Sequence, residues 1–295
     1  MKGLMRRVPG AATGSAPRTP RAGRFFRPEL LLAAVLLAPA QTAAAEPAVV
    51  AGGGTGPHPA GHETVPGLPG HTVYRPDVLP DSGKLPIVAW GNGACRADGT
   101  WFRNILTEFA SHGFLVVANG VPGGSGQTSS DMLTNALDWA VAENSAPGSR
   151  FRGRIDTTKI AAMGQSCGGL ETMEVADDPR IDTTVMWNSG LMSLFDKWTR
   201  LRRLHAPIAY FAGGSKDIAY ENALDDWDRL PAFMGNLDVG HYGTYAEPNG
   251  GEFGRVGVNW LKWQLKGDTA AKAEFVGPDC GLCTGEWDVM RKNFS

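Results

Sequence analysis

The stretch "AAMGQSCGGL" (residues 161–170) holds Ser166 between Gly164 and Gly168. The apolar run 160–163 before it predicts a buried strand, and residues 169–176 after it predict a short helix. A strand that turns sharply into a helix leaves no room for side chains beside the turn, which explains the glycines and exposes the serine hydroxyl. The helix N-terminus also directs free N–H groups at the same point. The stretch therefore predicts a nucleophilic serine beside an oxyanion site, and the alternative is a tight turn with an exposed serine.

The rest of the chain alternates short apolar runs with segments of helical periodicity. The predicted strands are 86–90, 114–118, 160–163, 183–187, 207–212 and 232–237. The predicted helices are 101–110, 131–143, 169–176, 191–201, 222–230 and 257–265. Buried strands that alternate with amphipathic helices indicate an α/β fold, in which helices cover both faces of a mostly parallel sheet.

Partners for the serine follow it in the order acid, then histidine. Asp217 lies five residues after the strand 207–212, and His241 lies four residues after the strand that ends at Leu237. Both positions are at carboxyl ends of strands, so we expect Ser166, Asp217 and His241 to form a catalytic triad. Rival acids lie inside a predicted helix and are expected to face solvent: Asp225, Asp226 and Asp228.

Two backbone donors are expected for the oxyanion of a tetrahedral intermediate. The N–H group of Cys167, the residue after the nucleophile, is the first. The second should come from the loop after the strand 86–90, from either Asn92 or Gly93, because the glycines there let the backbone approach closely.

The first 45 residues have the order of a secretory signal peptide, with basic residues, then the apolar run 30–40, then a small-residue cleavage site at Ala43 and Ala45. The apolar run is too short for a membrane span, which needs about 20 residues. Residues 46–70 are rich in glycine and proline and predict a flexible lead-in. Residues 71–295 are expected to form a single catalytic domain with a cysteine-containing tail.

Charge and cysteine content limit the classes of function that the protein can have. Seven of the 28 basic residues and one of the 30 acidic residues precede residue 46, so the remaining chain has a net charge of −8. An acidic secreted protein is not expected to bind nucleic acid, and no stable membrane insertion is expected either. Export permits disulfides. Cys280 and Cys283 are expected to form one, although a redox or metal C-x-x-C motif is the alternative.

Several segments together resemble the α/β-hydrolases, in particular secreted cutinase-, polyester-hydrolase- and dienelactone-hydrolase-like esterases. The resemblance covers roughly residues 71–275 and rests on "VAWGNGAC" (88–95), "SHGFLVVANG" (111–120), "MGQSCGG" (163–169), "AGGSKDIAY" (212–220), "DVGHYG" (238–243) and "NWLKWQLKGD" (259–268). It implies an eight-stranded, mostly parallel sheet without a large cap domain, the triad named above, and neither a cofactor nor a metal. The loop "WGNGAC" departs from the HGGG-type motif and from the aromatic loop of polyester hydrolases, so the substrate could be a small ester or a polymer.

The resembled fold also implies two further features. The strands that lead to Cys95 and Cys167 are neighbours in that fold, which implies a disulfide between them; two free, buried cysteines are the alternative. Relatives place an aromatic residue that contacts the substrate after the strand that follows the nucleophile helix. Trp187 could fill that role, and a buried core tryptophan is the alternative.

The sequence therefore predicts a secreted serine hydrolase that cleaves carboxylic esters through an acyl-enzyme. An acyltransferase and an amidase or peptidase would use the same triad, so they remain open as alternatives. A non-catalytic binding protein on the same fold is a further alternative, against which the intact serine, aspartate and histidine set argues.

Overall fold

A ten-stranded mixed sheet forms the centre of the computed structural model, which describes residues 50–293. In sheet order the strands are β1-β2-β3-β5-β4-β6-β7-β8-β9-β10. Their bounds are β1 Val50–Gly53, β2 Ala60–Glu63, β3 His71–Pro76, β4 Leu85–Gly91, β5 Leu115–Asn119, β6 Ile155–Gln165, β7 Thr183–Trp187, β8 Ile208–Ala212, β9 Ala232–Asn236 and β10 Asp288–Lys292.

The six central strands, β5 to β9 with β4 between β5 and β6, pair in parallel. Every residue of β4, β5, β7, β8 and β9 is buried. These strands are mostly apolar because helices cover both faces of a parallel sheet. The other pairs, which involve β1, β2, β3 and β10, are antiparallel.

Helices cover both faces of the sheet. Their bounds are α1 Arg103–Ser111, α2 Ser130–Ser145, α3 Cys167–Val175, α4 Leu194–Arg200, α5 Tyr220–Asp228, α6 Gly251–Lys266 and α7 Thr269–Lys272. Residues of α1 and α6 pack on one face, against Trp90, Trp187 and Phe211. Residues of α2, α3 and α5 pack on the other face, against the side chains that alternate with those along the strands.

The α/β-hydrolase fold class is confirmed, and the sheet extends beyond the eight strands that the resemblance implies. One additional edge strand, β10, comes from the tail and pairs with β9 from Asp288 opposite Asn236 to Lys292 opposite Ala232. The other edge lies in the segment expected to be a flexible lead-in, and that prediction is wrong for residues 50–53 and 60–63, which form strands. There β2 pairs with β3, and β1 pairs with β2.

The glycines that suggested a flexible lead-in serve close packing in one place. A Cβ on Gly52 would lie 1.0 Å from the carbonyl oxygen of Ala60, so only glycine lets β1 approach β2 there. The predicted signal peptide, residues 1–45, and residues 46–49 lie outside the described residues.

The strand order reverses around β4, since β5 lies on one side of it and β6 on the other. Parallel α/β sheets bind ligands at the carboxyl ends of the strands beside such a reversal. The loops after β4, β6, β7, β8 and β9 all begin at that edge, and the longest of them occupies residues 237–250. No helix within residues 50–293 is long and apolar enough to span a bilayer.

Candidate active site

Ser166 occupies the turn between β6 and α3 and has a left-handed backbone conformation, with φ 52° and ψ −117°. A non-glycine residue in this region is strained, and the tight packing around it maintains the strain. A Cβ on Gly164 would lie 2.2 Å from the Gly168 carbonyl oxygen, and one on Gly168 would lie 2.1 Å from the Gly91 carbonyl. The two glycines therefore allow β6, α3 and the end of β4 to come together below the serine.

The side chains of Ser166, His241 and Asp217 form a continuous hydrogen-bonded chain. His241 Nε2 lies 2.9 Å from Ser166 Oγ, and His241 Nδ1 lies 2.6 Å from Asp217 Oδ1. Because a carboxylate only accepts, we assign the ring proton to Nδ1, which leaves Nε2 free to accept from the serine hydroxyl. The loop that carries the histidine is fixed by Gln165, whose Nε2 donates to the His241 carbonyl over 3.0 Å.

Asp217 is buried, and both of its carboxylate oxygens accept hydrogen bonds. Oδ1 also accepts from the Ala219 N–H at 3.0 Å, and Oδ2 accepts from the Gly213 N–H at 3.0 Å and from Asn188 Nδ2 at 2.8 Å. Burial by itself raises the pKa of Asp217, but the bonds from His241, Ala219, Asn188 and Gly213 more than offset it, so the pKa lies below its usual value. The carboxylate is therefore charged near neutral pH.

Sequence reasoning missed a pair of residues that supports this carboxylate. Asn188 follows β7 directly, is buried, and has a left-handed backbone with φ 42°. Its Nδ2 donates to Asp217 and also to the Gly240 carbonyl at 3.2 Å, and its Oδ1 accepts from the buried Tyr245 hydroxyl. An asparagine at the carboxyl end of a strand neighbouring β6 was the only local signal for this role.

The loop after β4 contains the two candidates for the second oxyanion donor, and the structure separates them. Gly93 lines a cavity together with Ser166 and His241. Asn92 is fully buried and lines neither cavity at Ser166. Its Nδ2 donates to three backbone carbonyls, of Arg96 at 3.0 Å, Asp98 at 3.0 Å and Asn119 at 2.5 Å. Asn92 thus holds the loop in shape, whereas Gly93 faces the site.

Two disulfides are present, and no cysteine in the described residues is free. Cys95 is bonded to Cys167 with a Cα–Cα distance of 5.2 Å, so the loop after β4 is covalently attached to the first residue of α3. Cys280 is bonded to Cys283 with a Cα–Cα distance of 5.0 Å. The residues before and at the first bridge, Ala94 and Cys95, have φ of 50° and 47°.

The expectation that Trp187 contacts substrate is not supported by its position. Trp187 is fully buried, and its ring stacks on Phe211 with 4.5 Å between the centroids. It lines neither cavity at Ser166. Successive side chains of a strand point to opposite faces, and Trp187 points into the face covered by α1 and α6. It is therefore the core tryptophan of the alternative interpretation.

One of the rival acids also differs from expectation. Asp226 is completely buried rather than solvent-facing, and its Oδ2 accepts from the Leu191 N–H at 2.7 Å. Asp225 is partly exposed and pairs with Arg229 at 2.7 Å. Neither lines a cavity at Ser166, so Asp217 is the acid that the fold brings to His241.

Two cavities meet at the serine. The larger has a volume of about 400 Å³ and aromatic walls from Trp101, Phe102, Tyr242 and Tyr245. The smaller has about 240 Å³ and includes Leu170 and Met192. Ser166, His241 and Ile218 line both, so two separate spaces open beside the serine hydroxyl. No cluster of three or more metal-binding side chains occurs in the described part of the chain.

Comparison with known proteins identifies the family of this chain. A family model described as "PETase: PET hydrolase-like" matches residues 38–293. "Cutinase 2" of Thermobifida cellulosilytica is 28% identical over 210 residues, which is 69% of this chain and 76% of that protein. "Cutinase cut1" of Thermobifida fusca is also 28% identical over 210 residues, but the match spans only 62% of its length. A family match over nearly the whole chain shows that this protein belongs to the PET hydrolase-like family, as a carboxylic ester hydrolase of the α/β-hydrolase fold.

Proposed function

We propose that the protein is a secreted serine esterase in which Ser166, His241 and Asp217 form the catalytic triad. The observation that carries the proposal is the hydrogen-bonded chain from Asp217 through His241 to Ser166, at the point where two cavities meet. Ester hydrolysis is preferred to acyl transfer or amide hydrolysis because of the family. Secretion is proposed from the order of residues 1–45 alone.

In the acylation step, Ser166 Oγ attacks the ester carbonyl while His241 Nε2 takes the hydroxyl proton. The charged Asp217 stabilises the imidazolium that forms and keeps the ring in the correct tautomer. His241 then gives the proton to the departing alcohol oxygen, which leaves an acyl group on Ser166. A water molecule attacks this acyl-enzyme by the same route, with His241 again as base, and releases the carboxylic acid.

The negative charge on the tetrahedral intermediate needs donors that are already in position. We assign this role to the backbone N–H groups of Cys167, at the start of α3, and Gly93, in the loop after β4. The disulfide from Cys95 to Cys167 holds those two segments together. Within this assignment Asn188 is a positioning residue, because it acts through Asp217 and does not line the cavities.

A fluorophosphonate tests the nucleophile directly. It should label Ser166 alone, and Ser166→Ala should abolish labelling and lower kcat on a soluble ester by ~10³-fold or more. Ser215→Ala is the matched control, because Ser215 is exposed in the loop that carries Asp217. If Ser166→Ala kept its esterase activity, another residue would have to be the nucleophile.

A further inference from the structure

Exposed apolar side chains are concentrated at and beside the cleft. Eleven large apolar side chains are exposed in the described part of the chain. Seven of them either line a cavity at Ser166 or belong to α4: Trp101, Met192, Leu194, Phe195, Trp198, Ile218 and Tyr242. Clustered exposure of this kind marks an interaction surface, whereas scattered apolar residues do not.

The helix α4 has a burial pattern opposite to that of an ordinary surface helix. Leu194, Phe195 and Trp198 are 70%, 75% and 63% exposed, whereas its one buried residue is Lys197. At 100° per residue the three apolar side chains fall within about a 100° sector of the helix surface. An amphipathic surface helix would bury such a stripe and expose the lysine. We call Leu194, Phe195 and Trp198 the α4 ridge.

Specific contacts hold the ridge outward. Lys197 Nζ is 2.9 Å from Asp225 Oδ2 and 3.1 Å from Asp226 Oδ1, and it donates to the Asn222 carbonyl at 3.2 Å. A rotation of α4 that buried the apolar stripe would strip these partners from a buried cation, which is strongly unfavourable. The guanidinium of Arg202 lies 3.8 Å from the centre of the Trp198 ring and covers one face of it. The exposure is therefore built into the fold.

The ridge continues the wall of the substrate cleft. Met192, two residues before Leu194, lines the smaller cavity with Ser166 and His241 and is 72% exposed. Two of the three arginines nearby form ion pairs, Arg200 with Glu174 and Asp196, and Arg203 with Asp177. The third, Arg202, lies against the Trp198 ring. An anionic partner would thus meet only one of these three cations without an ion pair, and the surface suits an uncharged apolar one.

We propose that the α4 ridge is an adsorption surface for the apolar face of an aggregated, water-insoluble ester, and that it brings the cleft to that face. The proposal rests on the proposed function for its substrate but concerns binding to the aggregate and no chemical step. Its occupant is therefore the bulk ester phase, of which one molecule at a time enters the cleft.

Adsorption is measured in the Ser166→Ala background, so that it does not depend on catalysis. The probe is an emulsion of tributyrin, and bound protein is determined by sedimenting the droplets. Leu194→Ser, Phe195→Ser and Trp198→Ser combined should weaken adsorption by about tenfold or more, because three large apolar side chains no longer leave water. The control combines Val78→Ser and Val141→Ser, which are exposed apolar residues outside the cleft and α4, and should adsorb as the parent does.

In the active enzyme the same triple substitution should lower the hydrolysis of emulsified tributyrin by about tenfold. It should leave kcat/KM on a dissolved, monomeric ester unchanged, which also shows that the variant is folded. Equal adsorption of the triple variant and its parent would overturn the proposal. An equal loss of kcat/KM on the dissolved ester would also overturn it. The same holds if the triple variant loses self-association while its adsorption is unchanged, because the ridge would then bind a second copy of the chain. Failure of the proposed nucleophile would appear separately, as activity retained in Ser166→Ala.

Discussion

Removing the Cys95–Cys167 bridge should destabilise the whole domain by several kcal/mol. The bridge closes a loop with a sequence separation of 72. In the chain-entropy description, a loop of this length gives about 4.4 kcal/mol at 25 °C, because the cross-link restricts the unfolded chain. At ~2–4 °C per kcal/mol for a domain of this size, the midpoint of thermal unfolding should fall by roughly 9–18 °C.

A double-mutant cycle separates the bridge from the packing of the two side chains. Both cysteines are only partly buried, so Cys→Ala removes little apolar contact at either position. Either single substitution breaks the bridge, and we expect Cys95→Ala, Cys167→Ala and the double variant to lose similar amounts. The coupling energy should then be about 4 kcal/mol, obtained from equilibrium denaturation without reductant.

The second disulfide provides the control. Cys283 is also partly buried, and its bridge to Cys280 has a sequence separation of only 3. Cys283→Ala should therefore reduce the free energy of unfolding by less than half as much. The reasoning is refuted if the effects of Cys95→Ala and Cys167→Ala are small and additive, since that is the behaviour of two unlinked thiols.

Three further outcomes are expected. Asp217→Asn should lower kcat by ~10⁴-fold through the wrong histidine tautomer, whereas Asp225→Asn should have little effect; the reverse ranking in steady-state assays would move the acid. Asn188→Ala removes a donor to a charged carboxylate, worth ~1.5–3 kcal/mol, so kcat should fall about tenfold to a hundredfold with little change in KM, and an unchanged kcat would exclude the positioning role. Burial raises the pKa of Asp226 to about 6, above its usual value, so protonation of this carboxyl stabilises the folded state. That contribution to the free energy of unfolding is fully present below about pH 4 and is lost as the pH rises through about 6. Denaturation at several pH values should show wild type losing stability relative to Asp226→Asn over that window, and parallel profiles would contradict the shift.

The sequence was most informative where a local pattern reports backbone geometry. Two glycines around Ser166 between an apolar run and a helical segment predict a strand–turn–helix, because side chains at those positions would clash in so sharp a turn. Alternating buried runs and amphipathic segments predict a covered parallel sheet, and the fold class is confirmed. Ser166, Asp217 and His241 follow β6, β8 and β9, whose carboxyl ends lie at one edge of the sheet, and there they lie within hydrogen-bond distance.

The sequence was least informative where a prediction rested on residue composition, because long-range contacts decide those features. Glycine-rich residues 50–63 contain two paired strands, and Gly52 is needed there because the Ala60 backbone approaches too closely for a side chain. Asp226, expected to face solvent, is buried against Lys197, since a charged pair can occupy an interior that neither residue could enter alone. Helical periodicity predicted α4 but not its orientation, which was decided by that same pair.

By itself, the sequence determined the class of fold, the strained serine turn and the strand ends from which catalytic side chains could come, because periodicity and glycine spacing report local backbone geometry. Only the tertiary structure decided which long-range neighbours meet there. It paired Asn188 and Tyr245 behind Asp217, turned Trp187 into the core, and selected Gly93 over Asn92 at the cleft. The physical reason is that these outcomes depend on which face of a strand or loop a side chain takes, and packing between segments distant in the chain sets that choice.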